Sequence, residues 1–364
     1  MRRENRWMSR LLGSLLVLGL SGCSVIDEDL SDCAPEPEVE YDIDYELRLV
    51  TNMTTELRTQ LNTQTSFHLI QTLRSHLSEI FSDYAHDVDL SFYDTKGDSI
   101  RLQHDEHIMD ANQASYELNL PKRQYMHLAA ANVVDNKLVN IANADYCHPA
   151  SLKQLDRDTI DSHTTGIFTA REPMEVLEGV DQDFNVQLYM ANCAAALVID
   201  PREHSTDSIM VYSTGFATGF SICDSAYQYV DNPPIIRTRL LNRKEGETDV
   251  AYCSVSFPSR DPEGQSLEDL ESESRTRTII ETTDPFIAKP EDKALWEFRV
   301  YVPQGDGTYT QSILGIRVPL RAGQLKIIKC WLGDNGAVST DDEQTVGVSV
   351  TLNWRPGGTH VVPL

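Results

Sequence analysis

Four stretches of this chain alternate apolar and polar residues with a period of two, and that rhythm fixes the fold class before anything else does. Tyr41, Ile43, Tyr45, Leu47 and Leu49 alternate with Asp42, Asp44, Glu46 and Arg48. The pattern returns in Phe184, Val186, Leu188 and Met190, and again in Trp296, Phe298, Val300 and Val302. It is clearest near the end, in Val346, Val348, Val350, Leu352 and Trp354. Successive side chains of a strand point to opposite faces, so each stretch describes a strand with one buried and one wetter face. Shorter runs at 88–93, 100–103, 115–120, 209–212 and 325–332 add further strands. Turn signals such as Lys96-Gly97-Asp98 and Asp334-Asn335-Gly336 punctuate them.

One segment keeps a different period. Phe67, Ile70, Leu73, Leu77, Ile80 and Tyr84 recur at three- and four-residue intervals, with Leu69 and Phe81 widening the stripe. This predicts an amphipathic helix entered near Thr65. Its polar side lacks the Lys/Arg-rich face of a membrane-surface helix, so the stripe is expected to pack across a sheet. The sequence contains no internal repeat of 20–50 residues. A mainly β protein follows, with two tandem β-sandwich domains and one helix inserted in the first.

The N-terminus carries targeting information. Arg2, Arg3, Arg6 and Arg10 precede an apolar run from Leu11 to Leu20, and Leu20-Ser21-Gly22-Cys23 follows. The run is too short for a spanning helix, which needs ~20 apolar residues. Small residues before a cysteine at this offset match a bacterial lipobox: cleavage falls between Gly22 and Cys23, and Cys23 is diacylated. Two or more acyl chains give durable attachment. The expected layout is a signal peptide over 1–22, an acidic Pro- and Glu-rich tether over 23–40, and sandwich domains over 41–180 and 181–364. Ser259–Thr283 reads as a long polar loop. Taking 22 leader residues from 364 leaves 342, and losing four Arg and one Glu moves the net charge from −25 to −28. So acidic a chain repels nucleic acid and anionic lipid.

Of the seven cysteines, six remain once Cys23 is set aside: Cys33, Cys147, Cys193, Cys223, Cys253 and Cys330. In an oxidising compartment they allow 15 full pairings. The bridge expected first is Cys33 with Cys147, local to the N-terminal half. Buried free cysteine is also an ordinary apolar residue, so the rest need not pair.

Catalytic patterns are weak. His104-Asp105-Glu106-His107 is the densest run of metal-ligand types, but on a strand the two histidines would face opposite ways, and it reads as an exposed polar turn. Gly215-Phe216-Ala217-Thr218-Gly219 lacks the serine of a nucleophile elbow, and its glycines suit turns or bulges. Cys147-His148 resembles a nucleophile–base pair only in sequence, because such geometry is set by the fold. With 56 Asp and Glu, a close carboxylate pair carries no information. No enzyme activity, metal or cofactor is expected.

Cys23 followed by Val25-Ile26-Asp27-Glu28-Asp29-Leu30-Ser31-Asp32-Cys33, and then by the alternating strand Tyr41–Leu49, resembles the start of the fimbrillin-associated anchor family of Bacteroidales. The likeness extends through Val88–Asp94, Phe184–Val198 and the closing strand Val346–Trp354. It implies a lipoprotein subunit of a type V pilus, built from two transthyretin-like β-sandwiches. On that resemblance, Asp27, Glu28 and Asp29 form a surface-export signal. Cys23 holds the protein in the outer membrane through its acyl chains, and fimbrillin subunits are the partners. The role implied is anchoring fimbriae and limiting their length. A surface glycan-binding lipoprotein of a nutrient-uptake system is the alternative; it would need exposed aromatic platforms, whereas Trp296 and Trp354 fall in phase with apolar strand faces.

Overall fold

The computed structural model describes residues 40–50, 67–81, 85–108, 115–180, 182–206, 208–241, 248–261, 294–341 and 346–354. The protein is mainly β, a tandem β-sandwich with one helix among the described residues. The elements that matter for function are arranged in four sheets.

The first sheet has seven strands in the order β3-β2-β5-β9-β10-β1-β4. They are β1 (Glu40–Val50), β2 (Asp87–Asp94), β3 (Arg101–Ile108), β4 (Ser115–Pro121), β5 (Gln124–Ala131), β9 (Phe168–Glu175) and β10 (Gln182–Met190). β1 lies inside this sheet, parallel to β10 from Ile43↔Gln182 to Val50↔Tyr189 and antiparallel to β4. The second sheet runs β16-β17-β11-β20-β21, with β11 (Cys193–Asp200), β16 (Arg239–Leu240), β17 (Val250–Ser256), β20 (Leu325–Leu332) and β21 (Val338–Ser339). The third runs β22-β19-β18-β12-β15-β8, with β8 (Thr159–Asp161), β12 (Met210–Thr214), β15 (Ile235–Arg237), β18 (Trp296–Pro303), β19 (Tyr309–Ile316) and β22 (Val346–Trp354). The fourth and smallest runs β14-β13-β7-β6, with β6 (Val139–Ala142), β7 (Ser151–Gln154), β13 (Gly219–Ser221) and β14 (Ala226–Gln228).

Within the second sheet β11 and β17 are buried on both faces, and their sequences show why. Ala194, Ala196 and Val198 of β11 point into a core shared with the first sheet, while Cys193, Ala195, Leu197 and Ile199 point into the core shared with the third. β17 divides likewise, Ala251, Cys253 and Val255 against Val250 and Tyr252. A strand covered on both sides reads as a continuous apolar run and not as an alternation. Small residues on β11 let both layers approach closely.

The helix α1 (Phe67–Ile80) supplies the predicted stripe. Leu73, Leu77 and Ile80 are buried in the core between the first two sheets, together with Phe81. Each such side chain contributes on the order of 1.5–3 kcal/mol. The residue near Thr65 at which the helix was expected to begin lies outside the described residues, as does most of the loop expected at 259–283.

One reading from the sequence is corrected here. His104–His107 is not a turn but the second half of β3, paired with β2 from Asp87↔Ile108 to Tyr93↔Arg101. Cross-strand pairing with a committed neighbour overrides its polar composition. The chain is still in the first sheet when it passes residue 181. β10 belongs to that sheet, and the step to the second falls at Ala191-Asn192.

The glycines of the 215–219 segment do serve backbone geometry. Gly215 has φ +100°, and a Cβ there would lie 2.6 Å from the Trp296 Cα. This close approach seats Phe216 against the Trp296 ring, with centroids 5.5 Å apart.

Candidate functional site

Three features of the surface and its margins could carry function: the open sheet edges, a His–carboxylate cluster on β2 and β3, and a cysteine cluster under the smallest sheet.

A strand at a sheet edge presents a row of unpaired N–H and C=O groups, and proteins usually blunt such edges with short strands, charges or proline. Most edges here are blunted. β8, β14, β16, β21 and β6 are four residues or fewer. β3 carries Arg101, His104, Asp105, Glu106 and His107, and β4 carries Glu117 and ends at Pro121. β22 differs. It is nine residues long, VGVSVTLNW, with no charge and no proline. It pairs with β19 from Ile316↔Val346 to Tyr309↔Trp354, and among the described residues no strand pairs with its other side. Val346 is buried, while Val348 on the same face is exposed. The strand that most clearly announced itself in the sequence is therefore also the one long, uncharged edge among the described strands.

On the opposite margin, His104 Nε2 lies 2.6 Å from Asp89 Oδ2 and 3.6 Å from Glu106 Oε1. The Ser91 hydroxyl donates to Asp89 Oδ1 at 3.2 Å. Asp89 is buried, and His104 and Glu106 are exposed. His104 thus converges with Glu106 two residues on and with a carboxylate from β2, not with His107. The register Asp89↔Glu106 creates the group, and nothing in the spacing of the sequence could reveal it. The two carboxylates hold the His104 ring in place, and the three ligand atoms lie within reach of one small cation.

The third cluster joins two dipeptides, Cys147-His148 and Cys223-Asp224, that lie 76 residues apart. Cys147 Sγ and Cys223 Sγ are 2.8 Å apart and buried. His148 Nδ1 lies 3.2 Å from Asp224 Oδ1 and 3.7 Å from Cys223 Sγ. Hydrogen bonds from His148 and then from the Ser221 hydroxyl hold the Asp224 carboxyl below the usual range. Burial, reinforced by the neighbouring Cys223, pushes the Cys147 thiol up to about 12. A thiol held protonated is a poor nucleophile at neutral pH, and the imidazole lies beside the other cysteine. Cys147-His148 is accordingly no nucleophile–base pair.

The remaining predicted site residues, Gly22, Cys23, Asp27, Glu28, Asp29 and Cys33, lie outside the described residues. The expected Cys33–Cys147 bridge and the lipidated N-terminus are therefore not addressed by the fold.

No family model matches the chain, and no curated protein matches it either. Solved structures do. A candidate adhesin from Bacteroides thetaiotaomicron aligns over 88% of this chain and 100% of its own, with a TM-score of 0.50 at 10% identity. A candidate polysaccharide-binding protein from the same species aligns over 85% and 100%, with a TM-score of 0.48 at 10% identity. The fimbrial anchor protein Mfa2 from Porphyromonas gingivalis aligns over 88% and 100%, with a TM-score of 0.42 at 8% identity. The first of these shows the fold: the chain shares the overall architecture of that solved structure. The tandem β-sandwich implied by the sequence resemblance is the architecture found.

Proposed function

We propose that this protein is a cell-surface lipoprotein of the adhesion and fimbrial type. It is tethered to the outer membrane by acyl chains on Cys23 and holds fimbriae there by strand contacts with fimbrillin subunits. The observation that carries the reading is β22: a long edge with no charge and no proline, on whose other side no strand pairs among the described residues. An extended segment of a partner can add to such an edge, its main-chain hydrogen bonds supplying affinity and its alternate side chains specificity. The lipobox at Gly22-Cys23 and the Asp27-Glu28-Asp29 tether supply the other half, a leash from membrane to domain. An anchor so placed ends the fimbria at its base and thereby limits its length.

The glycan-binding alternative is less well supported. Trp296 is buried between Phe216 and Phe298, and its Nε1–H donates to the Val318 carbonyl. It offers no exposed platform.

Cys23→Ser in the native host tests the anchor. Fimbriae released intact into the medium, and longer than normal, are the expected result. Fimbriae that stay on the cell while this protein is secreted would remove the anchoring role.

A further inference from the structure

We propose that Cys147 and Cys223 form a disulfide, the one intramolecular bridge among the five cysteines of the described residues. The strand register brings them together. β7 and β13 pair through Ser151↔Ser221, and the Ile222 N–H donates to the Ala150 carbonyl at 3.1 Å, carrying the ladder one step further. The turn closed by the Ala150 N–H to the Cys147 carbonyl then lays Cys147 over Cys223. Their sulfurs meet at 2.8 Å inside a core with Ala150, Leu152, Phe220 and Ile222.

The alternative use of this cluster is a metal site, since His148 and Asp224 stand beside it. The geometry disfavours a site that uses both sulfurs. Two thiolates on one tetrahedral zinc, each about 2.3 Å from the metal, sit roughly 3.8 Å apart, well beyond the separation here. Burial also opposes the thiolate form of Cys147, and with Cys147 set aside the group offers one sulfur, His148 and Asp224.

Among the described residues the other three thiols have no comparable partner. Cys193 and Cys330 lie in the core of the second and third sheets, and their S–H groups meet the carbonyls of Phe257 and Val198. Cys253 faces the opposite core. One bridge and three retained thiols is thus a specific pattern, and it differs from a Cys33–Cys147 bridge.

The chemistry is thiol–disulfide exchange with a disulfide donor, either a small-molecule disulfide or an exported oxidoreductase. Cys223 loses its proton to solvent, and its thiolate attacks one donor sulfur to form a mixed disulfide, releasing one donor thiol. Cys147, losing its proton to solvent, attacks the Cys223 sulfur and releases the second. Two protein thiols are oxidised and one donor disulfide is reduced to two thiols. Both sulfurs are buried in the folded protein, so exchange belongs to the folding chain, before that core closes. The proposal rests on the export reading only for where the oxidant is met.

The full chain should be refolded in a glutathione redox buffer, alkylated and digested with trypsin. The expected product links peptide 138–153 to peptide 203–237, with Cys193, Cys253 and Cys330 alkylated. Reduction should then lower the thermal midpoint by several degrees, because the bridge closes a long loop. A Cys147→Ala/Cys223→Ala protein should show no response to reductant. Alkylation of both cysteines, Cys147 linked to Cys33, or free thiols retaining zinc would each overturn the proposal. Because refolding needs no export, failure here is distinguishable from failure of the anchor reading.

Discussion

Acid should unfold this protein through two buried histidines. His127 and His163 are both fully enclosed, and burial lowers each imidazole from 6.5 to about 4. His127 stacks on Phe92 at 4.4 Å and donates from Nδ1 to the Ser91 carbonyl; that bond opposes the shift but does not cancel it. His163 is gripped by the amides of Gln154 and Asn192, each at 2.8 Å, and faces the Phe257 ring. A lowered histidine pKa means that the unfolded chain binds protons the native state refuses, so stability is complete above pH 6.5 and is lost as pH falls toward 4. Integrating proton binding between the two states gives a loss of about 2 kcal/mol per histidine at pH 5 and about 3 at pH 4. Together they remove about 4 kcal/mol at pH 5, a large share of an ordinary domain's stability. The assay is urea denaturation at pH 7 and pH 5 for the wild type and for His127→Gln/His163→Gln. Carboxylate titration is common to both proteins and cancels in the comparison. The wild type should lose about 4 kcal/mol more than the variant over that interval. Equal losses, or imidazole resonances of these two residues titrating near 6.5, would refute the reasoning.

Two further outcomes are expected. Gly215→Ala should cost on the order of 3 kcal/mol, because its new Cβ meets the Trp296 backbone at a left-handed φ; a thermal midpoint within a degree of the wild type would contradict that. Val348→Lys places a charge on the open edge, where stability should change by about 1 kcal/mol or less. Incorporation into fimbriae should nevertheless fall sharply, and normal incorporation would remove β22 as the docking strand.

The parts of the fold legible from sequence were those whose two faces differ in chemistry. β10 alternates because one side is buried and the other meets solvent, β18 because its second face, though covered, carries the Glu297–Arg299 pair, and α1 carries the corresponding helical stripe. β17 (VAYCSVS) and β19 (YTQSILGI) were not legible, since burial of nearly every residue erases the alternation. β3 misled in the other direction: its polar run looks like a turn until β2 is beside it. The site followed the same logic. β22 could be singled out from its own residues, whereas Asp89 beside His104, and Cys223 beside Cys147, depend on strand register that no local pattern encodes. Adjacent titratable dipeptides, Cys147-His148 and Cys223-Asp224, were the one available hint.

The placement of β1 has a mechanical consequence. Any load entering through the residues before Glu40 reaches a strand held on both sides, with eight residue pairs to β10 and seven to β4. A pull along its axis acts in shear, so the two ladders must rupture nearly together and cannot unzip one bond at a time. On the proposed anchoring role, drag would be borne by the middle of a seven-stranded sheet and not by one of its edges.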